Sequence, residues 1–130
     1  MNRSLTMGVI LAGLALSAAA QDWYNERDER YRGEEWRPHI FLQVRTDLEH
    51  VWSNRAHDRE QERLAKTEGE LTTMQADLDQ GRWDNGKLND VIDSIRKSSN
   101  DERLAPRDRD VLADDLIRLK EFQDRHNHGR

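Results

Sequence analysis

From Pro38 onward, apolar residues recur at intervals of three and four, the period of a helix face, and no alternating strand pattern interrupts them. Phe41, Val44, Leu48 and Val51 make the first such face and predict a helix over 39–54. Leu64, Thr67, Leu71, Met74 and Leu78 take a three-four-three-four spacing, the coiled-coil-like seam of helices that pack at a shallow angle, and predict a helix over 57–80. Gly81 stands where a helix stop is expected, and Asp84 can cap the next helix. Leu88, Val91, Ile92 and Ile95 predict a third helix over 85–98. Pro106 opens a fourth over 106–125, with Asp108 and Asp110 in its first turn and Val111, Leu112, Leu116, Leu119 and Phe122 as its stripe. The expected fold class is therefore all-α, a small antiparallel bundle of about four helices.

The core of such a bundle must be thin. Charged residues make up 36% of the chain, and the mean hydropathy is −1.07. No cysteine is present to staple the helices together. Stability must come from helix packing or from assembly, which is compatible with a monomer or a weak homodimer.

The first twenty residues differ from all the rest. Met1–Ala20 has one charge at Arg3, an apolar run from Leu5 to Leu16 and the small residues Ser17-Ala18-Ala19-Ala20. This is the layout of a secretory signal peptide cut after Ala20, and its apolar run is too short for a membrane span of roughly twenty residues. The expected location is the periplasm or the medium, with no stable membrane anchor. With Arg3 as the only charge removed, the remaining chain carries 20 basic against 26 acidic side chains. An acidic exported chain is not expected to bind nucleic acid. Residues 21–38 mix charges of both signs with Trp23, Tyr24, Tyr31 and Trp36. No period organises these aromatics, so the segment is read as a disordered leader. The alternative is an adhesive segment that docks through its aromatics.

Chemistry-bearing patterns are sparse, and neither an enzyme nor a cofactor is expected. No cysteine nucleophile, Gly-x-Ser-x-Gly elbow or phosphate loop occurs. Asp114-Asp115 and Glu34-Glu35 lie among basic neighbours and read as solvated faces. A calcium loop around Asp84-Asn85-Gly86 is ruled out by Arg82 four residues before Gly86 and Ile92 six after it. Asp124, His126 and His128 are the weak candidates for a transition metal at the C-terminus. His50 and His57 are seven apart, a spacing that suits one helix face, but a turn is expected to separate them. Trp52 is expected in the core. Trp83 either plugs the end of the bundle or anchors a partner, and Trp23 and Trp36 are the other candidate partner contacts.

Two resemblances attach to particular residues. Gly81-Arg82-Trp83-Asp84 and Leu88-Asn89-Asp90-Val91-Ile92, with the later run from Arg103 to Leu116, resemble a group of small exported all-helical bacterial proteins with no assigned activity. That resemblance implies a helical fold and export. It also implies a capping Ser ahead of the fourth helix, where this chain has Ala105. Leu71-Thr72-Thr73-Met74-Gln75 is similar to the Leu-Thr-x-x-Gln box of periplasmic stress chaperones of the Spy type. Those are dimeric helical cradles that hold unfolding clients; the box usually occurs twice in them and occurs once here. The expected function is that of a non-catalytic exported helical protein acting through protein contacts. A Spy-like chaperone and weak metal binding through the His-x-His tail are the alternatives.

Overall fold

The computed structural model describes residues 21–54 and 58–128, within which the side chains at 52, 54 and 58–60 stay outside the description. The expected signal peptide, His57 and the packing of the Trp52 side chain therefore lie outside the described residues. All regular structure among the described residues is helical. The chain divides into one unit ending at Trp36 and a second beginning at Arg37.

In the first unit, residues 21–30 form a helix, α1, where the sequence suggests a disordered leader. Tyr24, Arg27 and Tyr31 are spaced three and four apart, and the Arg27 guanidinium lies 4.5 Å from the Tyr31 ring centroid. The period becomes visible once the aliphatic stem of Arg27 is counted as part of the stripe. Gly33 takes a left-handed φ of 72° in the turn after α1. That turn brings Trp36 back to donate from Nε1 to the Gly33 carbonyl at 3.1 Å, with its ring 5.5 Å from Tyr31.

The second unit holds a 3-10 turn at Arg37–His39 and then α2 (Ile40–Asn54), α3 (Asp58–Asp79), α4 (Asn85–Ser99) and α5 (Pro106–His128). Each range agrees with the periodicity to within a few residues. Helix α2 packs on α3, α3 on α4, α4 on α5, and α5 returns to α2, so the four close into a bundle. The predicted stripes form its core. Phe41, Val44, Leu48, Leu64, Leu71, Leu88, Ile95, Leu112 and Leu119 are all buried. No described helix is long and apolar enough to cross a membrane.

The core also holds carboxylates that the apolar stripes do not announce. Asp47, Asp108 and Asp115 are 0%, 1% and 0% exposed, and Glu68 is 7% exposed. Of the Asp114-Asp115 pair expected on a solvated face, only Asp114 behaves so, pairing with Arg118 at 2.8 Å. On α5 the buried positions are 108, 111, 112, 115 and 119, so Asp108 and Asp115 complete the stripe that Val111, Leu112 and Leu119 begin.

Candidate contact site at the aromatic end of the bundle

Four helix ends meet around Trp83: the start of α2, the end of α3 and the start of α4 on either side of the turn, and the last turns of α5. The turn is fixed on both sides. Gly81 adopts φ 78° and donates to the Leu78 carbonyl at 2.9 Å, while Arg82 N–H reaches the Asp77 carbonyl at 2.7 Å. That double bond pattern is the Schellman closure of a helix. The Arg82 guanidinium then ties back to Asp77 Oδ1 at 2.8 Å. On the other side, Asp84 caps α4 by accepting from Lys87 N–H at 2.9 Å. Trp83 has little freedom between these two anchors.

Its indole fills the end of the bundle. The ring centroid lies 6.5 Å from Phe41 and 5.8 Å from Phe122, and His126 stacks on it at 3.6 Å with planes 12° apart. Both Trp83 and His126 are half-buried, so the stack closes the core on one side and meets solvent on the other. Trp83 Nε1 is buried and makes no hydrogen bond among the described residues. The cavity beneath the ring, about 10 Å³ and lined in part by Phe41, Met74 and Leu88, is too small for a ligand. An amide ladder holds α5 in place: Gln123 Nε2 donates to Asn85 Oδ1 at 3.0 Å and to Asn89 Oδ1 at 2.8 Å. Asn127 adds a longer bond to Asn85 Oδ1 at 3.4 Å. These contacts explain why α5 continues to His128, past the predicted end at 125.

The same helix separates the candidate metal ligands. Residues two apart leave an α-helix about 200° apart. His126 is turned onto Trp83, whereas exposed Asp124 and His128, four apart, share another side. No group of three or more His, Asp or Glu among the described residues is arranged to hold a metal ion. Of the other candidate contacts, Trp36 is 3% exposed, whereas Trp23 is half-buried and meets Tyr24 edge-on at 5.3 Å. Both belong to the first unit.

Gln75, the last residue of the Leu-Thr-x-x-Gln box, does work that its position in the sequence does not reveal. Its Oε1 accepts from Leu42 N–H at 3.3 Å, and its Nε2 donates to the Pro38 carbonyl at 2.8 Å and to Asp79 Oδ1 at 2.9 Å. Leu42 N–H is one of the donors that the first turn of α2 leaves unpaired, so Gln75 caps that helix from its neighbour. Leu71 of the box is fully buried. Thr72 accepts from Arg45 Nη1 at 3.0 Å.

Two titratable seams flank α2. Toward α5, His50 Nε2 lies 3.7 Å from Asp108 Oδ1. Burial pushes the His50 imidazole below its ordinary value, and the charges of Asp108 and Asp47 offset this only in part. Toward α3, burial raises the Glu68 carboxyl and the charge of Glu49 raises it further, against the pull of Arg45. The Arg45 Nε lies 4.0 Å from Glu68 Oε1. Linkage gives the signs. His50 contributes stability above the ordinary imidazole value of about 6.5, and that stability is lost as pH falls through its lowered folded value. Glu68 contributes in the opposite sense: its stability is present below the ordinary carboxylate value and is lost as pH rises through its raised one. In denaturant titrations between pH 7.5 and 5, His50→Gln is expected to flatten the loss of stability on acidification. An unchanged slope would remove His50 as its source. Glu68→Gln is expected to stabilise the fold at neutral pH, and a loss of stability there would contradict the assigned direction.

No family model matches the chain, and no curated protein or solved structure matches it.

Proposed function

We propose that this chain is a non-catalytic, exported helical protein that acts through protein–protein contacts, with the aromatic end of its bundle as the contact face. The observation that carries this reading is the half-buried Trp83–His126 stack, held rigidly between the capped turn and the amide ladder. Tryptophan set in a rigid, partly apolar surface is the residue type most enriched among energetically dominant contacts. The cavity under the ring is far below ligand size, which favours a flat protein partner over a small molecule. Export rests on the apolar Leu5–Leu16 run and the Ala18-Ala19-Ala20 end. An intact-mass measurement on protein recovered from the cell envelope tests it: a chain beginning at Gln21 supports the reading, and one retaining Met1 opposes it.

Crosslinking in the intact envelope, with mass spectrometry of the adducts, tests the contact role. One dominant partner joined near Trp83 supports a dedicated adaptor. A broad set of unrelated exported proteins would instead place the Spy-like chaperone reading first. Against that alternative, Leu71 and Gln75 of the box are consumed by packing, and the large exposed apolar side chains among the described residues are Leu42 and Ile117.

A further inference from the structure

Helices α3 and α4 leave an open groove of about 400 Å³ between them, a volume within the range of small-ligand sites. Its charges are sorted along its length. Thr67 Oγ1 lies 2.8 Å from Ser94 Oγ and sets the register of the two helices. Because the helices run in opposite directions, Arg63 and Lys97 line the groove on one side of this contact, and Glu70 and Asp90 line it on the other. Lys66 adds a third cation, and Asp93 holds Lys97 at 3.5 Å. Among the described residues, Arg63, Lys66, Glu70 and Asp90 enter no ion pair. Like charges thus flank the groove at both ends. Three cations and three anions leave the groove neutral overall, so it offers no advantage to a ligand of a single sign.

We propose that this groove binds a short peptide with both termini free, its carboxylate held by Arg63, Lys66 and Lys97 and its ammonium by Glu70 and Asp90. Span supports the assignment: seven residues of helix separate Arg63 from Glu70, about 10 Å, which three extended residues also cover. The hydroxyls between the two ends supply a backbone contact. Thr67 Oγ1 donates its single proton to the Arg63 carbonyl at 2.9 Å, so Ser94 is the donor in the Thr67–Ser94 contact. Ser94 Oγ then has lone pairs to accept a peptide N–H from the groove. None of these residues belongs to the aromatic end, so the site stands or falls apart from it.

Trialanine is the probe, titrated at low salt into the full-length chain with amide chemical shifts as the readout. Exposed ion pairs are individually weak, so saturation is expected near the millimolar range. N-acetyl-trialanine and trialanine amide, each lacking one terminal charge, should bind at least ~10-fold more weakly. The shifts should fall within 63–70 and 90–97. The double substitution Glu70→Lys with Asp90→Lys should lose trialanine by a similar factor and gain suberate, a dicarboxylate of similar span. Equal binding of free and capped peptides, shifts centred elsewhere, or no saturable shift would each overturn the proposal. The capped peptides test it even if the double variant fails to fold.

Discussion

Replacing Leu71 by Ala is expected to destabilise the bundle by about 2–5 kcal/mol, and Gln75→Ala by about 1–3 kcal/mol. Leu71 is fully buried, and its truncation leaves a cavity that rigid neighbouring helices fill only in part. The loss at Gln75 has a different origin. Its amide satisfies Leu42 N–H and the Pro38 carbonyl, and Ala would leave that helix start without its cap. In a domain of this size the Leu71 variant should melt roughly 10–20 °C lower. Thr73→Ala serves as the control inside the same box: Thr73 is exposed and its hydroxyl donates to the Gly69 carbonyl of its own helix. It should change stability by less than about 0.5 kcal/mol. Urea denaturation of the three variants measures all of this. Comparable losses at Thr73 and Leu71 would mean that the box is not explained by folding.

Trp83→Ala carries the second large effect, about 2–3 kcal/mol. That is less than the cost of a fully buried tryptophan because the ring is only partly buried. Trp83→Phe separates shape from polarity. It keeps a ring against Phe41 and Phe122 and removes the buried Nε1–H that makes no hydrogen bond. A buried donor without a partner costs about 1–3 kcal/mol, so its loss offsets much of the lost ring area. The Phe variant should therefore stay within about 1 kcal/mol of the parent. His126→Ala removes only the outer layer of the stack and serves as the variant that weakens docking while leaving the fold. Equal destabilisation by Ala and Phe at position 83 would show that the indole nitrogen has a partner and that the end of the bundle is built differently.

Most of the fold is legible because helix faces repeat. The four stripes place α2 to α5 to within a few residues, and Gly81 and Asp84 mark the α3–α4 turn. Polar chemistry placed on an apolar face is not legible in the same way. Arg27 hides the stripe of α1, since a guanidinium stem packs like an aliphatic chain. Asp47 sits three residues after Val44 and one before Leu48, and Asp115 sits three after Leu112 and four before Leu119. Their spacing is the available signal, but in a chain so rich in acids each carboxylate resembles its solvated neighbours. Gln75 is illegible for another reason. Its partners are 33 and 37 residues away, and no local pattern announces a cap supplied by a different helix. For Trp83 the sequence leaves a choice between plug and anchor; the indole closes the core with one face and carries the His126 ring on the other.

Position-specific photocrosslinking in living cells tests the contact role most directly. A photoreactive residue at exposed His128, two residues beyond His126 at the same end of the bundle, is compared with one at Glu102 in the α4–α5 turn, at the opposite end. A discrete adduct from position 128 that is absent from position 102, and lost when His126→Ala is added, is the predicted result. Identical adducts from both positions, or none from position 128, would contradict the assignment of the aromatic end as the contact face.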